Sequence, residues 1–293
     1  MTLTELLELA TNYMESKSMG EDELVSPLPD FFLHQSKKPT QLNACFYHPI
    51  ACIILQGSKE AIVGDETISY RAGMSLIASH SVPAFSRIVE ASEEAPYIGL
   101  AICLDLGILR SLQREMGEPE ILDKEFKPLS TAQSTNELID AMGRYLALEG
   151  KPLEMKVMGP LILKEIHFLL LKSSNGNMLR HLAGQDSHVS KVTQAIEEIR
   201  TNFKVTLSVP ELAKKVGMST SSFYEHFKQI TKSTPLQYQK ELRLIEAQRL
   251  IREEQTSVSS AAFEVGYESP TQFSREYSRK FGNSPRQELA VLS

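Results

Sequence analysis

The last third of the chain contains one pattern of residues twice, and this repeat constrains the fold more than any other feature. The shared positions of the first copy are an alanine, a valine–glycine pair, a serine, two aromatic residues and a proline: Ala213, Val216, Gly217, Ser219, Phe223, Phe227 and Pro235. The second copy has equivalent residues at Ala262, Val265, Gly266, Ser269, Phe273, Tyr277 and Pro285. Each copy predicts a helix, a glycine turn and a second helix, which is the form of a helix-turn-helix motif.

The second helix of each copy has an apolar side and a polar side. In the first copy Phe223 and Phe227 lie one turn apart and predict the core side. The polar side of that helix consists of Ser221, Tyr224, Glu225 and Lys228. In the second copy the polar side consists of Thr271, Ser274, Arg275 and Ser278. A recognition helix presents such a side to the major groove of DNA.

Residues 236–254 predict a continuous helix between the two copies. At about 1.5 Å per residue its 19 residues span about 28 Å, and one turn of DNA is about 34 Å long. A rigid spacer of this length can place two recognition helices in successive major grooves on one side of the duplex. Before the first copy, residues 190–202 predict a helix, and Ser208 with Glu211 predicts a capping box at the start of the next.

The charge of the chain is unevenly distributed. The net charge is −6, which by itself argues against a nucleic-acid partner. From His188 onward, however, 15 basic and 12 acidic residues give a net charge of +3, and the remainder has −9. A mildly basic C-terminal part on an acidic body is compatible with a local DNA contact, because phosphates meet a patch of the surface and not its average.

The N-terminal part combines strands with helices. Residues 1–23 predict one amphipathic helix, and short β-rich runs then alternate with turn residues, which predicts a small antiparallel barrel or sandwich. The predicted strands are residues 45–47, 51–56, 60–63, 67–70, 75–78, 85–89 and 97–103. Helices are expected from Leu106, over residues 136–149 and over residues 155–172, the last becoming regular only about Pro160. Residues 172–177 are expected to form a loop.

Composition limits the compartment and the cysteine chemistry. No apolar stretch approaches 18 residues, and the N-terminus lacks the basic start of a signal peptide, so we expect a cytoplasmic protein without a membrane partner. Three cysteines in such a chain make disulfides unexpected. Cys52 lies in an apolar strand, where it is either a buried structural thiol or a redox or electrophile sensor.

The run from Ser208 to Pro285 resembles the C-terminal domain of the AraC/XylS family of bacterial transcription regulators. The matching residues include Leu212, Ala213, Gly217, Ser219, Phe223, Phe227, Pro235, Tyr238, Arg243, Ala247, Gly266, Ser269, Phe273, Arg275, Gly282 and Pro285. Residues from about 29 to 116 resemble the AraC-type N-terminal domain, through residues 47–57, 64–65, 70–73, 89–92 and 96–97. The resemblance implies a cupin-like β-barrel that binds a small-molecule effector, helices that dimerise, and activation of RNA polymerase at an operator or promoter.

The predicted fold class is therefore α+β with two domains. The N-terminal domain, residues 1–182, would bind the effector and dimerise, with the barrel at about 29–104 and helices at about 105–172. Residues 183–189 would be a linker. Residues 190–293 would be the DNA-binding domain, all-α, with helix-turn-helix motifs at about 208–230 and 258–280.

Eight residues are predicted to contact DNA: Ser221, Tyr224, Glu225, Lys228, Thr271, Ser274, Arg275 and Arg279. Arg275 is the strongest candidate, because arginine pairs bidentately with guanine. Glu225, Ser278 and the glycine-free run 231–233 depart from the family pattern. Glu225 either accepts a hydrogen bond from a cytosine N4 or is only exposed to solvent. Arg243 and Arg249 either contact phosphates or form salt bridges with glutamates such as Glu246, and Lys280 is either a phosphate contact or a solvated charge.

Other functions receive less support from the residues. A cupin enzyme needs two or three histidines and a carboxylate on neighbouring strands, but His34, His48 and His80 form no H-x-H pair. We therefore predict no metal, no cofactor and no enzymatic activity. His80 or Arg87 is either part of a ligand pocket or a loop residue. A regulator with a barrel that binds nothing, controlled only by its abundance, stays open as an alternative.

Overall fold

The computed structural model describes residues 1–64, 66–117, 127–184 and 188–292. It divides into two compact units, Met1–Ser190 and Lys191–Ser293. Helix α5 ends at Ala183 and helix α6 begins at His188, and residues 185–187 of the predicted linker lie outside the described residues. No helix within the described ranges has the length and apolar character needed to cross a bilayer.

The N-terminal unit begins with helix α1, Leu3–Ser16. Thr2 and Glu5 form a reciprocal capping box at its start. Within the described part of this unit, ten strands follow in two sheets, and every strand pair is antiparallel. Their bounds are β1 Asp22–Leu28, β2 Phe31–Ser36, β3 Asn43–Tyr47, β4 Ile50–Gln56, β5 Ser58–Val63, β6 Glu66–Arg71, β7 Met74–Ala78, β8 Val82–Glu90, β9 Tyr97–Cys103 and β10 Leu129–Gln133. The prediction of an antiparallel β-rich domain is confirmed.

One sheet has the order β1-β2-β9-β4-β7-β10 and the other β3-β8-β5-β6. Alternate side chains from both sheets meet in one apolar core, since successive residues of a strand point to opposite faces. This core contains Tyr47, Ile54, Ala61, Val63, Tyr70, Leu76, Ala78, Val82, Ala84, Ile88, Tyr97 and Leu129.

Three strands of the larger sheet have no counterpart in the predicted set. Strand β1 is an edge strand with mostly exposed side chains and Pro27 near its end, so it lacks the alternation of a half-buried strand. Strand β10 is short and forms the opposite edge against β7. The third is β2, which pairs between β1 and β9.

The helices of this unit are α2 Leu106–Met116, α3 Asn136–Leu146, α4 Pro152–Lys172 and α5 Gly176–Ala183. The expectation that α4 becomes regular only about Pro160 is wrong, because the helix starts at Pro152 and contains Pro160. Pro160 is exposed, so the Lys156 carbonyl that loses its i+4 donor can be hydrated. The loop expected at 172–177 is shorter than predicted, since α5 already begins at Gly176.

The C-terminal unit is helical and contains both copies of the repeat. Its helices are α6 His188–Thr201, α7 Val209–Lys215, α8 Thr220–Thr231, α9 Pro235–Glu253, α10 Val258–Glu264, α11 Pro270–Phe281 and α12 Pro285–Leu292. The turn glycines of both copies have positive φ, 68° at Gly217 and 89° at Gly266, a conformation that favours glycine. Pairs α7–α8 and α10–α11 are thus two helix-turn-helix motifs, with α9 between them.

Five helices of this unit begin after a serine or threonine whose hydroxyl caps the first turn. The hydroxyls of Ser219, Thr234, Ser257, Ser269 and Ser284 each accept a hydrogen bond from a backbone N–H there. The capping box predicted at Ser208 is wrong. Ser208 occupies the N-cap position, but its ψ is 97° instead of about 150°, and its hydroxyl makes no capping bond.

The two motifs end differently. Helix α8 is followed by Lys232, which has the left-handed conformation with φ 59°. The equivalent residue after α11 is Gly282, with φ 79°. A side chain in this conformation costs roughly 1 kcal/mol. The lysine in place of glycine in the first copy therefore causes local strain, but it does not change the type of turn.

Candidate DNA-binding surface

Helix α8 buries its two phenylalanines and exposes the predicted contact residues. Phe223 and Phe227 are fully buried, and the Phe227 ring lies 5.6 Å from the ring of Tyr238 on α9. The side chains of Ser221, Tyr224, Glu225 and Lys228 are all exposed. Packing against α9 thus leaves one continuous polar face on α8, which can approach another molecule.

Helix α11 has the same design with different chemistry. Phe273 and Tyr277 are fully buried, while Thr271, Arg275 and Arg279 are exposed. Ser274 is half-buried and its hydroxyl donates to the Pro270 carbonyl at 2.8 Å, so only its acceptor capacity faces outward. No hydrogen bond or ion pair of Arg275 is found among the described residues, which leaves its donors available to a partner.

The expectations for Lys280 are both wrong. Its side chain is only 16% exposed, and its ammonium lies 3.7 Å from a carboxylate oxygen of Glu241 on α9. Burial lowers the pKa of Lys280. This lysine joins α11 to the spacer helix instead of meeting phosphate or bulk solvent, because the polar face of α11 ends before it.

Arg243 on the spacer helix binds backbone carbonyls instead of glutamates or phosphates. Its guanidinium donates to Phe203 at 2.7 Å, Lys204 at 3.1 Å and Val205 at 3.0 Å, all before α7. A further N–H donates to the Gly266 carbonyl at 2.9 Å, in the turn of the second motif. One side chain therefore ties the segment that leads into the first motif to the turn of the second.

Two neighbours complete this contact. The Gln239 amide donates to the Phe203 carbonyl at 3.0 Å and to the Val205 carbonyl at 2.6 Å. A Cβ at Gly266 would lie 2.1 Å from the Lys204 carbonyl oxygen, so the backbones touch here and only glycine fits. We refer to Arg243 with its four carbonyl acceptors as the Arg243 clamp. Arg249, in contrast, pairs with Glu246 at 2.8 Å and Glu254 at 3.0 Å, which confirms the salt-bridge alternative for it.

The spacer helix α9 belongs to the cores of both motifs. Tyr238 near its start packs against Phe227 of the first motif. Residues further along it share an apolar core with the second motif, formed by Leu244, Ala247, Leu250, Ile251, Ala261, Ala262, Val265, Tyr267, Phe273 and Tyr277. Because both cores are close-packed, α9 fixes the position of each motif along its 19 residues.

A separate cavity of about 440 Å³ lies in the N-terminal unit, with a predominantly apolar lining. All three cysteines line it, and they are free thiols. Burial raises the pKa of Cys52 to about 11 and also raises the pKa values of Cys45 and Cys103. The thiols are therefore neutral near pH 7, which supports the structural interpretation of Cys52 over the sensor interpretation.

The cavity has one cation and several polar side chains in its otherwise apolar lining. Lys59 is the one lysine or arginine there, no carboxylate lines the cavity, and the polar groups belong to His34, Tyr47, His48, Tyr70, Ser86 and Tyr97. Neither His80 nor Arg87, the pocket candidates from the sequence, lines it: His80 is fully buried with its pKa lowered by burial to about 3, and Arg87 pairs with Glu60 at 2.8 Å. Among the described residues no cluster of metal-binding side chains occurs.

The fold and this surface define a class of protein: a DNA-binding regulator in which two helix-turn-helix motifs follow a β-rich domain along the chain. A sequence model described as the AraC-type transcriptional regulator N-terminus matches residues 27–178, and a helix-turn-helix domain model matches residues 212–290. The chain belongs to the AraC family of transcriptional regulators. Its relatives are transcriptional regulators and not enzymes.

Curated relatives match a part of the chain. The regulator CdhR of Pseudomonas aeruginosa is 33% identical over 102 residues, which are 35% of this chain and 30% of CdhR. The activator RhaS of Escherichia fergusonii is 31% identical over 125 residues, which are 42% of this chain and 44% of RhaS. The matches thus span less than half the length of these relatives.

Solved structures of ToxT from Vibrio cholerae resemble the whole chain. ToxT bound to an unsaturated fatty acid has a TM-score of 0.61 and 13% identity, over 94% of this chain and 98% of ToxT. ToxT bound to a naphthalene-bearing butenoic acid has a TM-score of 0.55 and 13% identity, over 90% of this chain and all of ToxT. At this identity the resemblance shows the fold alone.

Replacing Arg243 with lysine should destabilise the C-terminal unit. A lysine ammonium cannot reach four carbonyls in two segments, so some of these acceptors lose a charge-assisted bond, and we expect the free energy of unfolding to fall by about 2–3 kcal/mol. Hydrogen exchange of α9 and α11 peptides in the full-length chain, measured across a urea series, reports this unit separately.

The matched control is Arg249→Lys on the same helix, where an exposed pair with glutamates should change stability by less than about 0.5 kcal/mol. Equal effects of the two substitutions would show that the Arg243 clamp contributes no more than a surface ion pair.

Proposed function

We propose that the chain is a sequence-specific transcriptional activator that binds DNA as a dimer and responds to a small molecule in its N-terminal unit. Residues 1–182 form the effector and dimerisation domain, residues 183–189 the linker, and residues 190–293 the DNA-binding domain. RNA polymerase is the partner at the promoter, and a bacterial regulator of this kind acts in the cytoplasm. The names of relatives such as RhaS, a transcriptional activator, support the direction of regulation.

The observation that carries DNA reading is the pair of polar faces held by one helix. Helices α8 and α11 each bury two aromatic residues and expose a polar face, and the 19-residue α9 packs into the cores of both. Helix α9 is about 28 Å long. This length is close to one turn of DNA, about 34 Å, which separates successive major grooves. The two faces are proposed to enter these grooves on the same side of the duplex.

The two faces have different roles. Arg275 is exposed without a partner among the described residues, and its guanidinium can pair bidentately with guanine. Glu225 occupies the equivalent place in the first motif, where it can accept only from a base donor such as cytosine N4. Because its charge also repels phosphates, Glu225 contributes selectivity and little affinity. Ser221, Tyr224, Lys228, Thr271, Ser274 and Arg279 complete the proposed contacts.

Replacing Arg275 with alanine should weaken binding to the specific operator by about 1–3 kcal/mol and change binding to random DNA much less. The operator is first selected from a random pool with the unmodified protein, and both affinities are measured by fluorescence anisotropy. Arg249→Ala is the control, since Arg249 lies on the spacer helix among glutamates. Unchanged specific affinity of the Arg275 variant would refute the proposed major-groove assignment of α11.

The cavity of the N-terminal unit supports an effector that is mainly apolar with one anionic group. Its lining is predominantly apolar and its thiols are neutral, so an apolar body of the ligand gains most from burial here. Lys59 has no salt bridge among the described residues and offers one cation to the ligand. ToxT, which shares the fold, is described with an unsaturated fatty acid and with an apolar butenoic acid bound.

Dodecanoate and dodecanol are matched probes for this cavity, because they differ mainly in the anionic group. We expect dodecanoate to bind, measured by titration calorimetry, and Lys59→Met to weaken it about tenfold by removing one charge-assisted contact. Dodecanol should bind both proteins alike. If neither probe nor other apolar anions bind, the alternative of a regulator controlled only by abundance is favoured.

Helix α4 supports the dimer. Its inner side, with Ile162, Ile166 and Leu170, is buried in the N-terminal unit. Its outer side nevertheless exposes Leu153 at 71%, Val157 at 58% and Leu161 at 59%, spaced four residues apart along one stripe. Such a stripe exceeds the scattered apolar residues of an ordinary surface, and a second copy of α4 can cover it across a two-fold axis.

Replacing Leu161 with glutamate should therefore weaken dimerisation at least about tenfold, since a charge would be desolvated in the interface. Sedimentation velocity of the full-length protein over a concentration series measures this. Leu42→Glu is the control, because Leu42 is an exposed leucine outside α4. A Leu161 variant that dimerises like the control would place the dimer contact elsewhere.

A further inference from the structure

A concave surface of about 560 Å³ lies beside the polar face of α11. Its walls come from three places in the second motif: Val258 and Ser259 at the start of α10, one side of α11, and Ser284 to Arg286 at the start of α12. Arg275 and Arg286 both line it. We call it the Arg275–Arg286 cleft. Arg286 is outside the set of contact residues that the sequence predicted.

The charges of this cleft have one sign. Its lining contains two arginines and no aspartate or glutamate, and both arginines are exposed without an ion pair among the described residues. The nearest acid along α12, Glu288, points elsewhere, because Tyr277 and Arg252 both donate to its carboxylate. The remaining lining is rich in hydroxyl groups, including Ser259 and Thr271. Two guanidinium groups and hydroxyl donors around one concave surface suit an anion.

The first motif has no equivalent cleft chemistry. Fifty residues before Arg275 stands Glu225, and fifty residues before Arg286 stands Leu236, whose side chain is exposed. Both arginines of the cleft thus have a different residue at the equivalent position of the first copy, an acid in one case and an apolar residue in the other. Since the buried aromatic cores of the two motifs correspond, this difference is confined to the surface.

We propose that the Arg275–Arg286 cleft binds the sugar–phosphate backbone of one DNA strand next to the major groove, with Arg286 pairing with a phosphate. This inference rests on the proposed function, in which α11 lies in the groove and Arg275 reaches a base. Arg286 then positions the second motif on any DNA, and the second motif supplies more of the sequence-independent affinity than the first. Phosphate contacts position a protein without reading sequence.

The test measures the affinity of full-length Arg286→Gln for the selected operator and for random DNA from 50 to 300 mM salt (about a sixfold range of ionic strength). We expect affinity to fall about five- to tenfold on both DNAs and the slope of log affinity against log salt to decrease by about 1. Arg286→Lys should restore most of the slope, because lysine also binds phosphate as a point charge. Arg249→Gln removes the same charge from the spacer helix and should leave the slope unchanged.

Two results would overturn the inference. One is an Arg286→Gln variant with the slope and affinity of the unmodified protein, and the other is a loss confined to the operator, which would make Arg286 a base contact. Circular dichroism of the exposed-site variant checks its folding. The proposed function fails separately: in that case the unmodified protein itself would not distinguish the operator from random DNA.

Discussion

The Arg243 clamp is the interaction on which the geometry of the DNA-binding unit depends. One guanidinium reaches Phe203, Lys204 and Val205 before the first motif and Gly266 within the second. Burial lowers the pKa of Arg243, yet arginine keeps its charge under these conditions. The packing of α9 into both cores sets the position of each motif. The clamp adds a direct link between the turn of the second motif and the entry of the first, and thereby stabilises their relative orientation.

With the scaffold held in this way, the two motifs can diverge on their surfaces without losing their fold. The aromatic pairs Phe223 and Phe227, and Phe273 and Tyr277, keep each recognition helix in place, and both turns keep their glycine. The exposed positions carry opposite chemistry, Glu225 against Arg275. Burial constrains the aromatic pairs, whereas the exposed positions are free of packing constraints, so the two copies have the same shape and different charges.

The sequence predicted what local periodicity encodes. Residues one helical turn apart define the cores of α8 and α11, and short β-rich runs bounded by turn residues define strands such as β4 and β9. Edge strand β1 was not predicted, because it is a strand through its pairing with β2 and shows no alternate burial of its residues. The partners of Arg243 escaped because backbone carbonyls have no sequence signature, and the nearest of them is 23 residues away. The cleft at Arg286 needs three segments of the chain to meet, which no single motif reveals.

The chemical character of the N-terminal cavity also depends on which side chains are buried and which are charged. Residues of both sheets turn inward, so the three thiols and the tyrosines that line the cavity are removed from water, and their ionised forms are disfavoured. Only Lys59 brings a charge to a lining without acids. Under the proposed function, one anionic group on an otherwise apolar ligand would pair with that cation. The lining is therefore proposed to favour apolar ligands with a single negative charge.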